Sequence, residues 1–295
     1  MRKDVLGFIL VAAAALLWAT LGPFYKTILA LEPNFTPLNI VFFRTAFTSL
    51  ILFLAQILGR RFSPKQVDWI LFLSYALVGV ALFYTVYAYA IDAIGVGMAA
   101  ILMYTAPAWV AIFSHFLFGE KLTFFKVAAI ILTFSGSALV AKVYRPETLR
   151  FNLYGIILGL GAGLTYSFYN IFNKLAVRRH SPVDTLMYSM GLGALFLLPF
   201  TYRNIVLPFR NTSLFLWLLA MSIIPSLGGG FCYITALRFI PVSVASIMAN
   251  LEPVAAAAMG AILFGERMEG LQLLGAFLII GGILVLQLGG SRGKI

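Results

Sequence analysis

Glu252 is a carboxyl group inside a long apolar run and stands directly before Pro253. A carboxyl in apolar surroundings is costly, so it must be protonated, paired, or in contact with water. Two roles remain open: a proton-coupling or cation-contacting group, or a protonated carboxyl that donates to a backbone carbonyl. Pro107 holds the matching position in another apolar run, and each proline removes one backbone hydrogen bond. We expect a helix kink at both prolines, which either shapes a cavity or is simply packed by neighbouring helices.

A stripe of tyrosine and amide side chains follows one helical face near the middle of the chain. Tyr166, Tyr169 and Asn170 are spaced at i, i+3 and i+4, so they share this face. Further candidates in other apolar runs are Trp18, Tyr84, Tyr87, Tyr104, Tyr233 and Asn250. Aromatic walls with a few polar groups are typical of small-molecule sites, whereas tyrosines near helix ends are often interfacial anchors. The depth of Tyr84, Tyr104 and Tyr166 favours a substrate-binding cavity.

Arg44 is a cation well inside another apolar run. Its side chain could extend to the membrane interface, pair with a carboxylate, or meet an anionic substrate. We favour extension to the interface or a structural pair.

Motifs for catalysis and nucleotide binding are absent from the sequence. It contains no G-x-x-x-x-G-K-[ST] loop, no His-Glu-x-x-His pair, no cysteine cluster and no Gly-x-Ser-x-Gly turn. Cys232 is the single cysteine, so no disulfide within the chain is possible. We therefore expect no enzyme activity, no metal site and no cofactor.

The composition requires a lipid environment for most of the chain. Of 295 residues, 62% are apolar and 11% are charged, and the mean hydropathy is +0.99. Soluble domains carry about a quarter charged residues. The net charge of +11 arises from Lys and Arg clustered in short segments between apolar runs, which indicates membrane topology rather than nucleic-acid binding.

Ten apolar runs are each long enough to span a bilayer, which takes roughly 20 residues. They cover residues 5–29, 37–59, 68–91, 96–118, 124–143, 152–175, 183–202, 214–237, 242–264 and 270–288. With this topology, 13 Lys and Arg lie in the loops, termini and span ends on the side of the termini and 6 on the other side, and Lys26 and Arg44 lie within spans. The positive-inside rule then places both termini in the cytoplasm.

The two halves of the chain repeat each other. A shift of 146 residues aligns Pro107 with Pro253 and Phe118-Gly119-Glu120 with Phe264-Gly265-Glu266. The repeats are residues 5–143 and 152–288, with five spans each. Because five is odd, the second copy enters the membrane from the opposite side. We thus predict an all-α membrane protein of ten transmembrane helices in two inverted five-helix repeats, an architecture of secondary transporters.

Ala-Pro at 106–107 and Leu-Glu-Pro-Val at 251–254 are each followed by a Gly-Glu-Lys/Arg turn and a glycine-containing final helix. These features resemble the two EamA domains of the drug/metabolite transporter superfamily. The resemblance covers nearly the whole chain. It implies the ten-helix, two-repeat fold of that superfamily and the export of amino acids or other metabolites.

We therefore expect a multi-pass protein of the cell membrane that transports a small molecule by alternating access between its repeats. The expected partners are the lipid bilayer, a small-molecule substrate and protons as a candidate coupling ion, with no nucleic acid. An amino acid exporter is the leading interpretation. The alternatives are a carrier of a choline-like quaternary ammonium compound, because aromatic faces attract cations, and a non-transporting scaffold or lipid-handling protein.

Overall fold

A computed structural model describes residues 3–60, 67–145, 152–265 and 267–292, and its regular structure is helical throughout these ranges. The α-helices are α1 (Lys3–Ala19), α2 (Leu21–Leu31), α3 (Pro37–Leu58), α4 (Trp69–Ser74), α5 (Phe83–Met103), α6 (Ala106–Phe118), α7 (Phe124–Val140), α8 (Leu153–Val177), α9 (Pro182–Thr201), α10 (Leu207–Arg210), α11 (Thr212–Met221), α12 (Gly230–Ala236), α13 (Val242–Ala249), α14 (Leu251–Phe264) and α15 (Gly270–Arg292). Two π-helical segments, Tyr75–Leu82 and Ser222–Gly229, join α4 to α5 and α11 to α12. A short 3₁₀ turn covers Tyr202–Asn204.

Eight helical stretches in the described residues are long and apolar enough to cross a membrane. Two further apolar helices, α6 and α7, are shorter. Helix occupies each of the ten ranges expected from the sequence, with ends that differ by a few residues. The short helix α10, in the connection between the seventh and eighth ranges, was not expected.

The longest apolar stretch, Trp69–Met103, contains a reversal of the chain at Gly95. The backbone there has φ 80° and ψ 162°, a conformation that favours glycine. Residues Val86 to Ile94 pass along α8 in one direction, whereas Leu102 to Thr105 pass along it in the other. The 35 residues therefore form a hairpin whose two arms both pack on α8.

The repeated Phe-Gly motif ends a helix in each half of the chain. Gly119 and Gly265 have φ 70° and 66°, the left-handed conformation that commonly closes an α-helix. After the first of these ends, the Thr123 hydroxyl accepts a hydrogen bond from the backbone N–H of Lys126 and so caps α7. Glu266, the acidic residue of the second motif, lies outside the described residues.

The last helices of the two halves, α7 and α15, pack directly against each other. A Cβ atom at Gly136 would lie 2.5 Å from the carbonyl oxygen of Gly275, so the two backbones touch. Gly282 meets Ala129 and Thr133, which precede Gly136 in the chain, so the two helices run antiparallel. Close approach of small residues is a common way to pack helices in a membrane.

Polar side chains fasten the N-terminus of α13 at one end of the bundle. The Glu120 carboxylate accepts hydrogen bonds from the backbone N–H groups of Val242 (2.9 Å) and Ser243 (3.2 Å), and from the Ser243 hydroxyl. Lys126 Nζ lies 3.6 Å from the same carboxylate. Lys174 on α8 donates to two carbonyl groups just before α13. The bonds from Glu120 to α13 join the two halves of the chain at this end.

Candidate functional site

Two interrupted helices meet in the interior of the bundle. The first break, at Tyr104 and Thr105, separates α5 from α6, and the second, at Asn250, separates α13 from α14. Pro107 and Pro253 lie in the first turns of α6 and α14, where a missing N–H costs little. Thr105 and Asn250 keep right-handed helical backbone angles, so each break is a short turn between two consecutive α-helices.

A small cavity lies at these two breaks. Its walls come from α5, α6, α8, α13 and α14 and are formed by Met103, Tyr104, Ala106, Pro107, Tyr166, Asn170, Ser246, Ala249, Asn250 and Glu252. The cavity volume is about 10 Å³. This is room for about one water molecule.

Hydrogen bonds fix one amide of the cavity and leave another without a partner. Asn170 Nδ2 donates to the Tyr166 carbonyl oxygen at 2.7 Å, and Asn170 Oδ1 accepts from the Tyr233 hydroxyl. The Asn250 side chain also lines the cavity, but its buried Nδ2 has no hydrogen-bond partner among the described residues. A buried donor without a partner is costly, so Asn250 is available to a bound polar group.

Glu252 is the acidic residue of the cavity wall, and it lies in the first turn of α14. The partial positive charge of a helix N-terminus favours a carboxylate at this position. No ion pair joins it to another described residue. Glu252 can therefore contact a cationic group or exchange a proton inside the cavity.

Aromatic rings form a continuous layer behind the Tyr166 wall. Phe83 stacks on Tyr166 at 4.9 Å between ring centroids and on Tyr87 at 5.9 Å. On the other side of Tyr166, Tyr169 stacks at 5.7 Å. The ring of Tyr84 packs against Phe83 at 4.6 Å. This packing holds Tyr166 in place and continues its apolar surface away from the cavity.

The structure therefore divides the residues expected at the site into two groups. Tyr104, Tyr166, Asn170, Asn250, Glu252 and Pro107 line the cavity. Trp18, Tyr84, Tyr87, Tyr169 and Tyr233 are not in its walls and stand behind them; Trp18, for example, packs on Tyr233 at 5.1 Å. Pro253 is also absent from the walls.

Ser246 is a wall residue that the sequence reasoning missed. It precedes Asn250 by four residues and so lies on the same helical face, a spacing that was available as a signal. No group of three or more His, Cys, Asp or Glu side chains that could hold a metal ion occurs within the ranges covered by the structure.

Arg44 does not extend toward a surface of the bundle, so of the two expected roles the extension to an interface was wrong, and the side chain forms structural hydrogen bonds instead. Its residue is 5% exposed, because polar partners hold the guanidinium inside the bundle. Nε donates to Ser226 Oγ and Nη2 donates to the Tyr84 hydroxyl, both at 3.1 Å. These bonds connect α3 to the π-helical segment Ser222–Gly229 and to α5.

The several long apolar helices within the described residues indicate a multi-pass membrane protein. Comparison with known proteins places the chain in one family. The model of the EamA-like transporter family matches residues 5–142 and 153–288, and the chain belongs to this family.

Relatives with curated descriptions agree with this assignment. One uncharacterized transporter of Archaeoglobus fulgidus is 32% identical over 213 residues, which cover 71% of this chain and 75% of the relative. The uncharacterized transporter YwfM of Bacillus subtilis is 25% identical over 94% of this chain and 92% of its own length. A solved crystal structure superposes with a TM-score of 0.81 at 19% identity and covers all of both chains, so it shares the fold.

Proposed function

We propose that this chain is a secondary transporter of a small zwitterionic metabolite, with export of an amino acid as its leading activity. The observation that carries this proposal is the cavity at two helix breaks, where Tyr104 and Tyr166 lie beside Asn250 and Glu252. Interrupted helices supply exposed polar backbone and helix N-termini for a charged solute within the membrane. The aromatic rings supply apolar contact for its side chain.

We further propose ten transmembrane helices in two inverted repeats, residues 5–143 and 152–288. Helix packing supports this arrangement, because α3 packs on the π-helical segment of the second half and α9 on that of the first. In the same way α1 contacts α13 and α14, and α8 contacts α5 and α6. The pairs α3 with α9 and α7 with α15 each join equivalent helices. Each of these contacts made by a helix of one half is therefore matched by the equivalent contact made by the other half.

We propose alternating access between the repeats, and the small size of the cavity supports this proposal. An amino acid does not fit in about 10 Å³, so the walls must separate before a substrate enters. The π-helical segments in the two halves support such motion, because π-helical turns are frequent at functional sites. We propose that the protein resides in the cell membrane with both termini in the cytoplasm.

Transport by purified protein in liposomes tests the substrate class. We expect accumulation of amino acids with aromatic or large apolar side chains. Preference for choline instead would favour the quaternary ammonium alternative, in which the ring faces and Glu252 hold the cation. Ordered protein that moves no amino acid, choline or nucleotide sugar would contradict our transport proposal and favour a scaffold or lipid-handling role.

Tyr166→Ala tests the cavity, with Tyr154→Ala as a control in the same helix. Tyr166 lines the cavity, whereas Tyr154 is 60% exposed near the start of α8. Loss of one aromatic contact costs about 1 kcal/mol, so Tyr166→Ala should raise the substrate Kd about five-fold or more. Equal Kd values for the two variants would place the substrate elsewhere.

Glu252→Gln tests proton coupling through the cavity carboxyl. Gln keeps the shape and hydrogen-bonding capacity of a neutral carboxyl but cannot titrate. If Glu252 couples transport to protons, the variant should bind the amino acid and lose accumulation driven by a pH gradient. Unchanged pH-driven uptake would exclude coupling through Glu252, and loss of binding itself would indicate a direct contact with a substrate cation.

A further inference from the structure

Arg44 is a buried cation whose described hydrogen-bond partners are all uncharged. It donates to the Ser226 and Tyr84 hydroxyl groups. The guanidinium also lies over the Tyr84 ring, 5.2 Å from its centroid. Among the described residues, no carboxylate oxygen lies within 4.0 Å of it.

This arrangement leaves a full positive charge inside the bundle without a counter-ion in contact. Neutral hydroxyl groups satisfy N–H donors but do not cancel the charge, and an unpaired charge at membrane depth is costly. Charged side chains in such positions face a cavity or a substrate path far more often than lipid. A guanidinium also has the planar donor geometry that fits a carboxylate with two parallel hydrogen bonds.

The surroundings of Arg44 connect it to the cavity. Its partner Tyr84 packs on Phe83, and Phe83 stacks on the cavity residue Tyr166. Glu252 lies with Tyr166 in the wall of this cavity. Packed aromatic rings thus connect the cation Arg44 to a cavity whose wall contains a carboxyl group.

We propose that Arg44 receives the carboxylate of the transported substrate while Glu252 faces its ammonium group, so that the site selects α-amino carboxylates over amines and carboxylates alone. This inference rests on the proposed transport function and deepens it. Ser226 and Tyr84 hold the guanidinium in orientation, and the apolar part of the substrate lies along Tyr166.

Binding of L-phenylalanine and of phenethylamine, which lacks the carboxylate, tests the assignment of Arg44. Purified wild type, Arg44→Gln and Arg44→Lys are compared, with Arg210→Gln as a control because Arg210 is an exposed cation on α10. We expect Arg44→Gln to raise the Kd of phenylalanine about ten-fold or more, the usual effect of losing a charge-assisted pair. The Kd of phenethylamine should stay within about two-fold of wild type.

Arg44→Lys keeps the charge but loses the planar fork. It should weaken phenylalanine binding less than Gln does and leave phenethylamine binding unchanged. The control Arg210→Gln should change neither Kd. This order of effects would not arise from a merely structural bond to Ser226 or Tyr84.

If Arg44→Gln weakens the binding of both ligands equally, Arg44 only supports the fold. If phenylalanine binding is unchanged, Arg44 lies outside the site. Either result overturns the assignment. Failure of both Arg44 variants to fold would also assign a structural role and overturn it. Wild-type protein that binds no amino acid would instead contradict the proposed function. The two proposals can therefore fail separately.

Discussion

Replacing Glu120 by Gln should loosen the junction between the two halves of the chain. The Glu120 carboxylate accepts two backbone hydrogen bonds at the start of α13, accepts a third from the Ser243 hydroxyl, and lies 3.6 Å from Lys126 Nζ. Both charged side chains are at most 10% exposed, so solvent screens them little. Gln keeps one acceptor oxygen, removes the other and leaves Lys126 without its counter-ion.

The loss can be worked from these contacts. A hydrogen bond to a charged group contributes about 1.5–3 kcal/mol, and Gln retains part of this contribution through its remaining oxygen. We therefore expect a net destabilisation of about 2–3 kcal/mol. At about 2 °C per kcal/mol for a chain of this size, the Tm should fall by about 5 °C.

Thermal unfolding in detergent, followed by intrinsic fluorescence, measures this change. Glu32→Gln is a suitable control, because the Glu32 side chain is hydrogen-bonded to Asn34, two residues away in a connecting segment. Its Tm should stay within about 1 °C of wild type, since a local surface bond contributes little. A Tm for Glu120→Gln equal to that of the control would refute the role assigned to Glu120.

Three further predictions address other parts of the molecule. Hydrogen bonds from Tyr144 and Lys142 lower the pKa of Glu269 from 4.5 to about 2. The stabilising contribution of this carboxylate is therefore complete above pH 4.5 and disappears as the pH falls toward 2. Measurement of the Tm against pH should show this loss, and the loss should be smaller in Glu269→Gln. Gly136→Ala should lower the Tm because the new Cβ meets backbone, whereas Gly281→Ala, which faces open space, should not. A cysteine introduced at position 3, in a chain with Cys232 replaced, should not be labelled by an impermeant thiol reagent applied outside intact cells. Rapid labelling would show that the termini lie outside and would contradict the proposed orientation.

The positions of the helices follow largely from the sequence, because apolar runs and their charged or turn-forming ends are local signals. Thr36 and Asn39 form a capping box at the start of α3. At the start of α9, the Ser181 hydroxyl accepts a hydrogen bond from the backbone N–H of Asp184. Gly119 closes α6 where the Phe-Gly motif predicts a turn. These features depend on residues within about one helical turn, so one sequence is enough to find them.

The site was only partly predictable, because it depends on contacts between distant parts of the chain. Tyr166 and Asn170 of the predicted stripe lie in one wall of the cavity, but nothing local distinguishes Tyr104 in the wall from Tyr87 behind it. The position of the Arg44 side chain depends on its hydrogen bond to Ser226, which lies 182 residues further along the chain. A single sequence does not reveal such a partner.

The reversal at Gly95 leaves the hairpin Trp69–Met103 without a flexible linker. Helix continues up to the turn and resumes directly after it, so the connection has no slack to absorb a displacement. A shift of the arm that ends at the Tyr104 break must therefore pull on the arm that contains the π-helical segment Tyr75–Leu82. The turn therefore couples the two arms, and a rearrangement at the Tyr104 break would be transmitted to the buried π-helical segment.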